Sequence, residues 1–269
     1  MTVNALEPFD EFYCASHHDT TLALTVSEVY QSLGDKTCVK RKSIHKFGEN
    51  SSVKITESPI HPWGEFEVYQ TSNVTLNLSS SSASDTATVT IEYMSFDVSG
   101  NFVFGTQTKT LTGQTPVTLS DTGCRWMRMY TDDDHVGDIW LYRDGASGGV
   151  PSDLTKVHNQ ILAGTSQSQK ASTSVAANNY FFLTHIWADI IRKGSVSASV
   201  NFKTTKLGSG TRNRLRRGIS DGHSLEYEFT PLFIVEPNTD IEITGQTDSN
   251  SDTDMTAGFN GYLADIISS

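Results

Sequence analysis

Apolar and polar residues take turns along this chain, one for one, in short runs on both sides of its middle. Val74, Leu76 and Leu78 alternate with Thr75 and Asn77, and Val89, Ile91 and Tyr93 with Thr88, Thr90 and Glu92. Further on, Val196, Ala198, Val200 and Phe202 alternate with Ser197, Ser199 and Asn201. Leu225, Tyr227 and Phe229 then alternate with Glu226 and Glu228, and Ile241 and Ile243 flank Glu242. Successive side chains of a strand point to opposite faces, so a period of two predicts sheets with one dry face and one wet face. Thr, Ser, Asn and Asp are abundant and long Leu/Ala/Glu/Lys-rich stretches are missing, which argues against helices.

Turn chemistry separates the runs. Across residues 104–142 the breaks fall at Thr112-Gly113-Gln114, at Asp121-Thr122-Gly123 and at the acidic cluster 132–134. Asp97-Val98-Ser99-Gly100-Asn101 reads as a hairpin connection. Gly-rich residues 144–151, stopped by Pro151, read as a linker. With 269 residues, two ordinary domains fit better than one. The expected fold is all-β: two tandem antiparallel β-sandwich, jelly-roll-like domains at residues 24–150 and 151–269, preceded by an extended arm at residues 1–23.

The formal net charge of -11 makes a global nucleic-acid role unexpected, since such binders carry a basic excess on the binding face. Cys14, Cys38 and Cys124 are an odd number without metal-ligand spacing, so free thiols are expected rather than a disulfide framework. The opening MTVNALEPFDEF has neither a basic nor an apolar targeting region, and no run is long and apolar enough for a membrane-spanning helix; no membrane partner is expected.

Four places invite a chemical reading. His17-His18-Asp19 has metal-binding residue types, but adjacent residues of an extended chain point opposite ways. Asp132, Asp133, Asp134 and His135 have calcium-type oxygens, though aspartates between strands ordinarily serve a turn. Asp248, Asn250, Asp252 and Asp254 alternate like the front of a calcium loop, but Thr253 and Phe259 stand where its glycine and closing glutamate belong; a mobile polar hairpin tip is expected. Arg212, Arg214, Arg216 and Arg217 form the dense basic run, expected between two strands, where guanidinium groups would meet phosphate or an acidic protein surface. A looser basic run comprises Lys36, Lys40, Arg41, Lys42 and Lys46.

No Gly-x-Ser-x-Gly elbow, phosphate-binding Walker loop or His-Glu-x-x-His helix is present. No catalytic residue, metal site or cofactor is therefore expected. Trp126, Trp140, Trp187 and Tyr180-Phe181-Phe182 would suit sugar stacking, but aromatics on alternating strands more often fill cores.

Residues 111–117 (LTGQTPV) and Arg125-Trp126-Met127-Arg128-Met129-Tyr130, with Gly137-Asp138-Ile139 after them, resemble a pattern in tailed-bacteriophage virion structural proteins, especially marine ones. Residues 161–166 (ILAGTS), Tyr180-Phe181-Phe182, the run Asn238-Thr239-Asp240-Ile241-Glu242-Ile243 and the closing Gly261-Tyr262-Leu263 continue it in the same order. Ala176-Ala177-Asn178-Asn179 replaces the glycine usual before the aromatic strand. The resemblance spans the second half of the first domain and all of the second.

It implies a non-enzymatic virion component, decorating or cementing a capsid or belonging to a tail or neck. Partners would be other virion proteins and further copies of the chain, through Arg212, Arg214, Arg216, Arg217, Asp248 and Asp252, with no nucleic acid. The alternative is a receptor- or carbohydrate-binding module of a phage tail, meeting a host surface glycan.

Overall fold

The computed structural model describes residues 37–191, 196–220 and 223–267. The expected arm, its His17-His18-Asp19 and a possible strand near Leu24 lie outside the described residues.

Strand β1 (Thr37–Val53) and the two-residue β2 (Ser58–Pro59) come first. Then follow β3 (Asn77–Ser80), β4 (Thr88–Phe96), β5 (Phe102–Thr110), β6 (Val117–Thr118), β7 (Arg125–Thr131) and β8 (Ile139–Tyr142). Short β9 (Ala146–Ser147) and β10 (Val150–Pro151) pair with each other, and a single 3-10 turn, Leu154–Lys156, leads to β11 (Val157–Ile161). The remaining strands are β12 (Ser172–Val175), β13 (Asn179–Ile190), β14 (Ala198–Lys206), β15 (Thr211–Ile219), β16 (Ser224–Val235), β17 (Thr239–Thr247) and β18 (Thr253–Ile267). All the pairings are antiparallel, and the fold is all-β, as the alternation predicts.

Two apolar cores organise the strands. The first lies between the sheets β5-β4-β7 and β11-β8-β3-β6, and holds Leu76, Leu78, Val89, Ile91, Trp126, Met129, Ile139, Leu141 and Ile161. Leu76, Leu78, Val89 and Ile91 are alternating residues of the sequence, and burying each such side chain stabilises by roughly 1.5–3 kcal/mol. The second core lies between the sheets β1-β18-β13-β16 and β12-β17-β14-β15, and holds Phe181, Leu183, Ile186, Val200, Phe202, Ile241, Ile243, Met255 and Phe259.

The pairing cuts across a division at residue 151. β1 runs along β18 from Thr37↔Ile267 to Val53↔Thr253, and β2 pairs with β17, so both belong to the second sandwich. β11 pairs with β8 and belongs to the first. The Gly-rich residues 144–151 form the β9–β10 hairpin instead of a linker. Gly149 has φ +76, and a Cβ there would stand 1.8 Å from the Ser80 carbonyl oxygen, so that hairpin is packed down against β3.

The turn at residues 97–101 forms as its residues dictate. Asp97 Oδ1 accepts from the backbone N–H of Ser99 at 2.8 Å and of Asn101 at 2.9 Å, and Gly100 takes φ +79. β4 and β5 continue from it in unbroken register.

Candidate functional site

The arginine run is itself a strand. The chain leaves β14, turns at Gly208 (φ +75) and returns as β15, with Thr211 opposite Thr205. β15 is the outermost strand of its sheet, paired on one side only. A register shift between Phe202 and Lys203 leaves Arg214 as the extra residue, while Leu215 and Ile219 still face the core. Arg212, Arg214, Arg216 and Arg217 are all exposed.

β16 is the corresponding outer strand of the facing sheet. Between these two open edges the arginines meet rings. The Arg217 guanidinium lies 4.9 Å from the Tyr227 ring centre, and that of Arg214 lies 5.9 Å from Phe233. Arg214 Nε donates to Thr204 Oγ1 at 2.7 Å, and Arg216 Nη2 to Ser199 Oγ at 3.3 Å. Such side chains cover apolar surface with their stems and rings while the charge stays wet. At the far end of the edges, Lys206, Arg212 and Arg214 line a cavity of about 430 Å³ with Thr204, Phe233 and Ile234. Glu236 is the acid in this lining; it pairs with Lys206, whose hydrogen bond holds its carboxyl below the usual range.

The acidic residues stand at the other end of the same sandwich, in the hairpin joining β17 and β18. The Asp248 N–H donates to the Ser197 carbonyl at 2.9 Å, and Asp248 Oδ1 accepts from the Ser197 N–H at 3.1 Å. Asp252 Oδ1 accepts from Ser52 Oγ at 2.5 Å and lies 3.1 Å from Lys54 Nζ. The expected loose tip is thus a hairpin tied to two neighbouring segments. Arg212 sits opposite Thr204, near the start of β17, and Asp248 follows its end. Thr204 in turn pairs with Ile241, so seven strand steps separate Arg212 from Asp248, on the order of 23 Å. The structure does not bring these candidate residues together within one molecule.

Within the acidic cluster at 132–134, Asp133 serves the turn. Asp133 Oδ2 accepts from the Thr88 N–H at 2.7 Å, and its own N–H donates to Thr131 Oγ1 at 3.1 Å. His135 contacts the carbonyls of Gly137 and Thr165 through its two ring nitrogens, at 2.8 Å and 2.6 Å. Among the described residues no group of three or more His, Cys, Asp or Glu side chains is placed to hold a metal ion. The aromatic residues are mostly interior: Trp126 and Trp140 are buried, as are Tyr180, Phe181 and Phe182, and half-buried Trp187 stacks on Phe47 at 5.8 Å.

Sequence reasoning missed the charges at the junction of the sandwiches. Arg125 of β7 holds Asp240 of β17 through Nε, at 2.9 and 3.1 Å, and Nη2, at 2.9 Å. Arg125 Nη1 also donates to the carbonyls of Gln70 and Cys124, and Asp240 accepts from Ser174 Oγ at 2.6 Å. The guanidinium lies 4.4 Å from the Tyr69 ring centre and 5.0 Å from that of Phe102. Close by, Lys170 Nζ meets Glu67 Oε2 at 2.5 Å, and His158 Nδ1 meets Glu67 Oε1 at 3.3 Å. Burial works to raise the Glu67 pKa, but Lys170 and His158 overcome it and hold the carboxyl at about 2. Burial pushes the Cys124 thiol up to about 12, so it is an inert core residue at neutral pH.

No family model matches the chain, and no curated protein matches it. Among solved structures, the VP2 subviral particle of infectious bursal disease virus aligns over 87% of this chain and 73% of that one, at 9% identity and a TM-score of 0.23. The Gx strain of the same virus gives 10% identity and a TM-score of 0.24, over 87% and 73%. These overlays are too loose to assign the chain to their fold family.

Proposed function

We propose that the chain is a non-enzymatic building block of a virus particle, assembling through protein-protein contacts as a capsid decoration or cement protein, or as a subunit of a tail or neck. The observation that carries the reading is the open side of the second sandwich. There two outer strands lie next to each other, one of them lined by four exposed arginines on a chain of net charge -11. An acidic protein surface suits those arginines better than nucleic acid, which the overall charge repels. The buried ion pairs between the sandwiches support the same reading, because they tie the two halves to each other. The ordered series of phage-like motifs supplies the viral context.

The test is incorporation. Particles assembled with the tagged chain should carry it in fixed copy number after gradient purification. Particles that never retain it would refute the proposal. Glycan binding is the weaker reading, since Trp126 and Trp140 are buried away from any sugar.

A further inference from the structure

We infer that copies of this chain join head to tail, the acidic hairpin between β17 and β18 of one copy entering the basic cavity between β15 and β16 of the next. This names the partner surface within the assembly reading and rests on it. The cavity is concave, holds about 430 Å³ and gathers Lys206, Arg212 and Arg214 against Glu236 alone. The hairpin carries Asp248 and Asp252, both exposed, and Lys54 pairs with Asp252. Hydrogen bonds to Ser197 and Ser52 hold it in shape before any partner arrives, so little ordering entropy opposes docking.

The two surfaces sit at opposite ends of one sandwich, so neither can satisfy the other within a molecule. An interface made from two different patches is heterologous: it closes into a ring when the rotation between copies allows, and otherwise runs on as a filament. The receiving strand β15 is an open sheet edge, but Arg214 is bulged out of its ladder and four cations stud it. Both features discourage indiscriminate strand pairing and leave charge to choose the partner.

The experiment uses the full chain and two variants, Arg212→Glu and Asp252→Lys, with association read by sedimentation. The wild type should gain mass with concentration and lose it with added salt, because exposed charges are screened. Each variant alone should associate about 10-fold more weakly or worse, since like charges then face each other. An equimolar mixture should recover association, because each variant supplies the surface that complements the other. A wild type that stays monomeric, a mixture that stays dissociated, or weakening by Arg212→Glu without weakening by Asp252→Lys would overturn the inference. A chain that enters particles without self-associating leaves the assembly reading intact. A head-to-tail polymer that never enters particles does the reverse.

Discussion

Arg125 and Asp240, 115 positions apart in the chain, bind each other across the junction of the two sandwiches. Each lies in a run of sequence singled out above, residues 125–130 and 238–243, and nothing in either run shows that the two touch. The fork of the guanidinium meets the carboxylate through both Nε and Nη2, and both side chains are buried. Truncating one partner strands the other charge in the interior. Arg125→Ala should therefore cost about 3–5 kcal/mol in a urea titration. Asp240→Ala should cost a similar amount, and the double variant less than the sum of the two.

Glu67 should dominate part of the acid limb of stability. Its folded pKa of about 2 lies below the ordinary 4.5, so its contribution is complete above pH 4.5 and is lost as pH falls toward 2. Glu67→Gln should lower stability at pH 7 by roughly 3 kcal/mol and flatten the profile across that window. Thermal melts from pH 2 to pH 7 measure both effects.

Lys46 subtracts from stability where Glu67 adds to it. Its ammonium donates to the Met127 carbonyl at 2.7 Å, and burial lowers its pKa from 10.5 to about 7. The folded state then binds fewer protons than the unfolded chain between those values, so stability rises as pH climbs from 7 to 10.5. Lys46→Met should stabilise by on the order of 1–3 kcal/mol at pH 6, with the gain shrinking at pH 10. Equal effects at both pH values would show that the cation is not the source.

Gly48 brings the β1 backbone close against two other segments. A Cβ there would stand 2.0 Å from the Ile60 carbonyl oxygen and 2.6 Å from the Ala171 backbone nitrogen. Neither atom can swing aside. Gly48→Ala should cost about 3 kcal/mol or more, visible as a lower urea midpoint. At Gly210, where open space surrounds the same position, the substitution to Ala should be nearly silent.

Legibility in the sequence followed the chemistry of the buried face. Where the inward positions are apolar, as at Val200, Phe202, Ile241 and Ile243, period two gave strand and face together. β1 is longer than any other described strand, yet no strand was expected there, because its inward positions 46, 48 and 50 are Lys, Gly and Asn. Those residues face tight backbone contacts and a carbonyl rather than a greasy core. The arginine run was expected between strands, but a sheet edge leaves a strand wet on more sides than alternation alone suggests. Its basic character was plain from the sequence; its distance from Asp248 depended on the strand order. The Glu67, Lys170 and His158 cluster left no local trace, since its members come from segments 91 and 103 positions apart.

The pairing of Thr37 with Ile267 has a practical consequence for anyone handling the molecule. The two residues share one rung of the ladder, so a short peptide could link those two positions and the backbone could be opened at the Ser99-Gly100 bend instead. Tags or cargo attached at either of these two positions would emerge side by side. Removing residues of β1 or of β18 from this rung inward would open the same ladder.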